Sequence, residues 1–372
     1  VLIGGPHATG APLHALKVCN ADAVVVGEGE AVIADLVEAL ANNDKIELQG
    51  VITSEGGEVT FAPRLPLDEI PLPAWDMLDF EPYFALPSMA TPSPWRYAPI
   101  MTSRGCPWQC TFCHNIFGKK LRTRSKESME EELRLLEKRI GHGFIEVLDD
   151  CPNASRKHFE DMLDIFIQKR ERLRVTFPNG LRIDRLDDET INLLCEARCA
   201  YAGSGIESGD PEMQILLRKN LDLEKARENI EKLDRKRIYT CGFFLVGLPN
   251  ETFTSFLKTL RFALEVPLCQ AYFLRLVPLP GSVLFAEMGG RIDGIDEHVD
   301  YFGEATQELA PNVRSLQRLA LFLFYSRPSV WERILHRHPN KKTVLYKAFF
   351  ASFLFSSPFK GSWLTYLSRY FA

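Results

Sequence analysis

Arg104-Gly105-Cys106-Pro107-Trp108-Gln109-Cys110-Thr111-Phe112-Cys113 places three thiols in one short loop, spaced C-x3-C-x2-C, directly after the strand-like run 97–103. A loop of this length lets three sulfurs converge on one cuboidal centre, and cysteine thiolates are the usual protein ligands of iron–sulfur clusters. Three ligands leave one of four irons without a protein partner, and an open metal position is where a small molecule binds and reacts. The competing reading is a zinc site built from the same cysteines and His114. Zinc sites more often show two separated ligand pairs, and the neighbours Cys113 and His114 reach one tetrahedral ion with difficulty. A disulfide framework fits worse, since nine cysteines is an odd number and nothing else points to secretion.

The C-x3-C-x-Phe-C pattern resembles the signature of the radical S-adenosylmethionine (radical SAM) superfamily. The resemblance implies a 4Fe-4S cluster on Cys106, Cys110 and Cys113, with S-adenosylmethionine on the open iron through its amino and carboxylate groups. It further implies reductive cleavage of the sulfonium to a 5'-deoxyadenosyl radical, and it places Phe112 beside the adenine.

With 372 residues, 46% of them hydrophobic, the chain is long enough for two or three domains and can bury a sizeable core. Its formal charge of −5, without a basic stripe interleaved with aromatics near the motif, disfavours nucleic acid as a partner. No apolar run reaches the length of a bilayer span and no charged-then-apolar leader opens the chain, so the expectation is a cytoplasmic protein. The chain starts on the buried-strand pattern Val1-Leu2-Ile3 without an initiator Met, and reads as a fragment.

Residues 1–62 alternate strand and helix patterns. One apolar run ends in Gly4-Gly5-Pro6-His7-Ala8-Thr9, and a second, 23–26, ends in Gly27-Glu28-Gly29-Glu30 before a periodic helix over 31–40. Glycine at the carboxyl ends of parallel strands lets a nucleotide-like ligand approach the backbone. An ordinary glycine-turn α/β domain is the plainer alternative. The pair GGPHAT and VVGEGE resembles the second half of the cobalamin-binding domain that precedes one group of radical SAM enzymes. That resemblance makes Gly4, Gly5, Thr9, Gly27, Glu28, Gly29 and Glu30 cobalamin contacts. The first half of such a domain is absent from this sequence, which leads to an expectation of weak cobalamin binding. Residues 63–96 are dense in proline, which lacks an amide hydrogen and fixes φ, so they read as a linker.

From 97 to 290, short apolar strands at 144–148, 174–177, 201–206, 239–246 and 271–277 alternate with helical patterns such as 126–140 and 223–236. With the strand before Cys106 they make six βα units, and repeated right-handed units imply a parallel barrel with ligands at the carboxyl ends of its strands. Six units match the partial (β/α)6 barrel of the radical SAM superfamily. The fold class is therefore α/β: a TIM-like partial barrel preceded by a truncated, doubly wound cobalamin-type domain and followed by a helical region over 291–372.

Strand ends carry the remaining site residues. Asp149 and Asp150 close the second strand. By resemblance this position meets the amino group of S-adenosylmethionine; helix N-capping ahead of Pro152 is the alternative. Arg182, after the third strand, has the forked geometry to grip the methionyl carboxylate, or else pairs with Asp184 or Asp187. Gly205-Ile206-Glu207-Ser208 resembles the family's G-I-E-S segment, with Glu207 and Ser208 at the cofactor ribose; a plain helix N-terminal acid is the alternative. Phe243 to Thr252 resembles F-x-x-G-L-P-x-E-T, which brings the Gly247 backbone beside adenine, and 277–282 resembles P-x-P-G-T with serine for threonine. Cys195 and Cys199, one helical turn apart, read as buried free thiols. Cys151 follows the two aspartates and is either structural or close to substrate.

Past Glu332 there are no acids, while Arg333, Arg337, Lys341, Lys342, Lys347, Lys360 and Arg369 mix with aromatics. Such a segment packs over the barrel or lies peripherally on a membrane, and packing is the expectation. By resemblance the chain is a radical SAM enzyme functionalising an unactivated carbon, with cobalamin-dependent C-methylation first and oxidative cyclisation or ring rearrangement second. A zinc-stabilised, non-catalytic binding module is the rival from another class. The implied partners are a small-molecule substrate, lipid- or porphyrin-like, and an external electron donor such as flavodoxin or ferredoxin.

Overall fold

In the computed structural model, the described residues are 1–54, 56–86, 88–90, 96–287 and 313–338. The first strands, β1 (Leu2–Ile3), β2 (Ala23–Val25) and β3 (Val51–Thr53), form a three-stranded sheet in that order, parallel between β1 and β2 and antiparallel between β2 and β3. Side chains alternate across β2: Val24 packs with Ala8, Ala15 and Ala21 on one face, while Ala23 and Val25 pack with Val32 and Leu36 on the other. Both faces are covered, as a doubly wound layer requires.

The proline-rich stretch runs along helix Lys126–Ile140 and is tied to it by polar contacts. Trp75 Nε1 donates to the buried Glu132 carboxylate at 2.9 Å, Arg139 Nε donates to the Trp75 carbonyl at 3.0 Å, and Asp68 accepts the Ser125 amide at 2.9 Å.

β4 (Tyr97–Ile100) opens the large sheet and leads into a small antiparallel ladder of β5 (Ser103–Arg104) and β6 (Arg122–Thr123), from which the cysteine loop hangs. β7 (Gly143–Val147), β8 (Leu173–Phe177), β9 (Tyr201–Glu207), β10 (Thr240–Val246) and β11 (Gln270–Arg275) follow. The sheet order is β4-β7-β8-β9-β10-β11 and every pairing is parallel. Chain order equals spatial order, so the six βα units of the sequence wind into a partial TIM-like barrel. Five of the crossover helices start on a capping side chain, Ser125, Ser155, Asp187, Asp222 or Thr252, each accepting a backbone amide of the first turn. The last strand meets helix Val313–Tyr325 instead of a further strand: Gln317 Nε2 donates to the Phe273 carbonyl at 2.6 Å, and the Tyr325 hydroxyl bonds Ala271 at 3.1 Å. A helix thus covers the backbone groups that a closed barrel would pair.

Helix Pro328–Arg337 packs inward through Val330 and Ile334, and both Arg333 and Arg337 reach Asp234 on a barrel helix. The basic residues from Lys341 onward, and with them the choice between packing over the barrel and membrane contact, lie outside the described residues. Among the described residues no helix is long and apolar enough to cross a membrane.

Candidate active site

The cysteine loop is held from several directions. Across it, the Cys106 amide donates to the Gly118 carbonyl at 3.2 Å. Further on, the Thr111 amide donates to Leu217 and the Thr111 carbonyl accepts from Leu284. Gly105 takes φ +90, and a Cβ there would sit 2.5 Å from the Lys120 carbonyl oxygen, so the chain can turn into the loop only at glycine. Cys110 is buried, Cys106 half-buried and Cys113 exposed. A hydrogen bond with the Cys151 thiol draws Cys106 down to about 6 against the effect of burial, with the Trp108 amide and Lys119 assisting. Its neighbour Cys113 draws Cys110 down to about 7, helped by the Lys219 ammonium, while Cys113 itself is raised. Cys106 and Cys110 are therefore shifted towards the thiolate, the form that binds metal. Among the described residues no three Cys, His, Asp or Glu side chains gather about a single point as one metal ion requires. A cuboidal cluster takes each thiolate on a different iron and does not require that convergence.

Opposite the loop, β9 ends in a bulge: its register against β10 slips between Phe243 and Phe244, and Glu207 adopts φ +64. A bulge re-aims the side chain that follows it, and a non-glycine residue in the left-handed region marks local strain at a site. The Glu207 carboxylate bonds Lys219 Nζ at 2.8 Å, with both side chains about nine-tenths buried. Gly205 makes room for this pair, since a Cβ there would meet Lys219 Nζ at 2.8 Å. Burial alone would lower the Lys219 pKa, but Glu207 and the Cys110 thiolate outweigh it and the net shift is upward. Lys219 was not singled out from sequence; its signal is positional, two residues beyond the Leu216-Leu217 pair that follows the G-I-E-S segment. Phe112 packs with Met213, Leu217, Leu245, Leu248, Leu276 and Leu284, an apolar wall drawn from the ends of β9, β10 and β11.

Other candidates occupy different places. Adjacent residues at a strand end point opposite ways, and Asp149 and Asp150 divide accordingly. Asp149 is fully buried and accepts from the Thr102 amide at 2.7 Å, the Thr102 hydroxyl at 2.6 Å and the Ser103 hydroxyl at 2.5 Å. Burial pushes its carboxyl up to about 6. Asp150 accepts the Gly105 amide at 3.2 Å and sits by Cys106, His114 and Lys119. Arg182 forks onto Asp184 at 2.9 and 3.0 Å, donates to the Lys219 and Asn220 carbonyls, and stacks over Trp108 at 4.9 Å. Four of its five N–H groups are thereby engaged within the protein. The Ser208 hydroxyl turns to Thr259 at 2.8 Å, and the Gly247 amide, at φ +84, donates to Glu251 at 2.6 Å.

On the three-stranded sheet, Gly4 and Gly5 face open space. Thr9 accepts the Gly27 amide at 2.9 Å, and Gly27 itself, at φ +92, lies against Phe61. Gly29 has room for a Cβ, whereas the Glu28 and Glu30 carboxylates are taken up by arginines. Cys199 is buried and pushed up to about 12 by that burial, but Cys195 is exposed because it falls on the outer face of helix Asp188–Glu196. Cys151 is buried beside the Cys106 thiol.

Residues 100–263, which carry the cysteine loop and β7 to β10, match the family model described as the radical SAM superfamily. An uncharacterized methyltransferase of Pyrococcus horikoshii is 30% identical over 356 residues, 91% of this chain and 75% of that protein. The anaerobic magnesium-protoporphyrin IX monomethyl ester cyclase of Rubrivivax gelatinosus is 29% identical over 308 residues, 79% of this chain and 54% of that one. Among solved structures, the radical S-adenosylmethionine methyltransferase TsrM from Kitasatospora setae, with cobalamin and a 4Fe-4S cluster bound, superposes with a TM-score of 0.63 at 18% identity. The superposition covers 78% of this chain and 57% of that one, a likeness of fold. The chain thus spans three quarters of one of these proteins and little more than half of the other two. By its cysteine loop, its six-stranded parallel barrel and these relatives, the chain belongs to the radical SAM superfamily and is an enzyme of that class.

Proposed function

We propose that Cys106, Cys110 and Cys113 hold a 4Fe-4S cluster whose open iron takes S-adenosylmethionine, and that the chain functionalises an unactivated carbon, most simply by cobalamin-dependent C-methylation. When bound, these groups supply a 5'-deoxyadenosyl radical and a transferable methyl, chemistry beyond protein side chains alone. The observation that carries the reading is the arrangement across the barrel mouth: three thiols in one braced loop, facing the Glu207–Lys219 pair and the Phe112 wall.

In this reading Glu207 accepts ribose hydroxyls and Lys219 supplies a cation between that carboxylate and the cluster thiolates. Phe112, Leu245 and Leu248 receive the adenine beside the Gly247 backbone, and Asp150 is the carboxylate placed for an ammonium. Asp149 and Arg182 support the loop from beneath. Cobalamin is assigned to the open glycine edge at Gly4, Gly5 and Gly29, which suits backbone contact with a large ligand. The substrate class is a lipid-, isoprenoid- or porphyrin-like small molecule, and the electrons come from a flavodoxin- or ferredoxin-type donor. The cyclase relative favours oxidative cyclisation as the second reading.

Anaerobic reconstitution followed by incubation with a reductant, S-adenosylmethionine, methylcobalamin and a porphyrin or isoprenoid tests both. The expected result is 5'-deoxyadenosine together with a substrate heavier by one methyl. Loss of two hydrogens without added carbon supports the cyclase reading, and a reduced, iron-loaded protein that forms no 5'-deoxyadenosine refutes both.

A further inference from the structure

Glu28 lies in the glycine turn that follows β2 of the three-stranded sheet, yet its carboxylate is buried against the base of the cysteine loop. Arg104 Nη1 donates to Oε2 at 2.5 Å, Arg122 Nη2 donates to Oε1, and Arg64 Nε stands 3.4 Å from Oε1. The second Arg104 nitrogen donates to Glu30 at 2.6 Å. Arg104 and Arg122 are direct cross-strand partners in the β5–β6 ladder. Like charges directly opposite in an antiparallel pair repel, so this ladder needs an anion between its two guanidinium groups. Glu28 is that anion, and at 5% exposure water screens it little.

We propose that Glu28 is a positioning residue for the cysteine loop: one carboxylate holds both stems of the ladder closed. The proposal rests on the reading of that loop as the cluster holder. Removing the charge leaves Glu30 on Arg104 but no carboxylate between Arg104 and Arg122, with Arg64 nearby, and the stems part. Cys106 follows Arg104 by two residues, and its amide bond to Gly118 spans the same loop, so parted stems loosen the first thiol. Phe117 under Arg104 at 5.3 Å and the Leu65 carbonyl on Arg122 at 3.1 Å brace the arginines but carry no charge to offset theirs. Because Glu28 sits between Gly27 and Gly29, a ligand that shifts this glycine turn also shifts the thiolate loop through the same carboxylate. The two units are then coupled in both directions, as linkage requires.

Amide hydrogen exchange of the metal-free chain, read by mass spectrometry for Glu28→Gln, Glu28→Asp and the unsubstituted protein, tests this without depending on the cluster. Exchange over 104–123 should quicken about tenfold in Glu28→Gln while β9 and β10 keep their rates, with Glu28→Asp intermediate because the shorter carboxylate keeps the charge. In the reconstituted protein, Glu28→Gln should also release iron to a chelator faster and broaden the electron paramagnetic resonance signal of the reduced cluster. Should Glu28→Gln not fold, adding Arg104→Gln removes the like-charge pair and should return exchange at 104–123 towards the unsubstituted rate. Unchanged exchange at 104–123, or equal loosening of the whole barrel, overturns the proposal. If the unsubstituted protein takes up no iron, the cluster reading fails while the exchange comparison still decides the clamp.

Discussion

Asp149→Asn is the most informative single change beneath the loop. Desolvation raises the buried carboxyl from 3.8 to about 6, against the opposing pull of bonds from Ser103 and Thr102. The folded state therefore binds this proton more tightly than the unfolded state. The stabilisation from the protonated form is complete below pH 3.8 and is lost as pH rises through about 6. At 1.36 kcal/mol per pKa unit, the loss is about 3 kcal/mol by pH 7. Asparagine stays neutral throughout. Its oxygen can accept the Thr102 amide, and its NH2 can donate to the Thr102 and Ser103 hydroxyl oxygens. Thr102 Oγ1 is then free to donate to His158 Nε2, 3.0 Å away, on a ring that burial keeps neutral with a pKa near 4. Urea unfolding followed by tryptophan fluorescence, under reducing conditions between pH 4.5 and 7.5, should show the variant gaining on the unsubstituted protein by about 2 kcal/mol across that range. Asp149→Ala, which leaves the Thr102 amide and the Ser103 hydroxyl without their acceptor, should lose stability at every pH. Parallel pH profiles for Asp149→Asn and the unsubstituted protein would refute the assignment of a raised pKa to this carboxyl.

Triple replacement of Cys106, Cys110 and Cys113 by Ala should abolish iron and sulfide uptake on anaerobic reconstitution, while Cys195→Ala should retain both; full iron retention in the triple variant would sink the cluster assignment. Lys219→Met strands the buried Glu207 carboxylate and should cost about 3–5 kcal/mol in urea unfolding. Adding Glu207→Gln should recover part of that loss, whereas strictly additive effects would mean the pair is not coupled. Glu207→Gln alone should weaken S-adenosylmethionine retention in equilibrium dialysis while leaving iron content unchanged. Gly205→Ala pushes a methyl into the Glu207–Lys219 pair and should reduce the same retention at a stability cost of about 1–3 kcal/mol; an unaffected affinity would show that the pair has room to shift.

The cysteine triplet and the six strands were legible because both signals are local, a spacing within one loop and short apolar runs bounded by turns. Lys219 was harder. Its partner lies 12 residues earlier and its thiol neighbours roughly a hundred, and only the bulge at the end of β9 brings them together. The division between Asp149 and Asp150 depends on which face of β7 each occupies, and all five residues of β7 are buried, so no alternation of polar and apolar residues announces that parity. Arg182 poses the same problem in another form. An arginine fork fits a ligand carboxylate and an internal aspartate equally well, and Asp184, two residues away, is the nearer claimant. Glu28 was legible as part of a glycine-turn motif, but its partners Arg104 and Arg122 lie 76 and 94 residues away.

The role proposed for the cysteine loop requires sulfur positions that stay fixed while one side is left open, and loops do not do this unaided, because an unbraced segment samples many conformations. Here the bracing is distributed over charges and backbone bonds from separate elements. Asp149 fixes the run into the loop at Thr102 and Ser103. Arg182 stacks on Trp108 in its middle, and Leu217 and Leu284 pin Thr111 near its end. The stems are held by Glu28. Each of these partners comes from a different part of the chain, so no single local fluctuation frees the loop, and the exposed Cys113 side remains the face without such a strut among the described residues. That asymmetry sets an order for damage. Loss of one interior brace should loosen the cysteine loop before it unfolds the barrel, whose core of buried strands is separate from the loop.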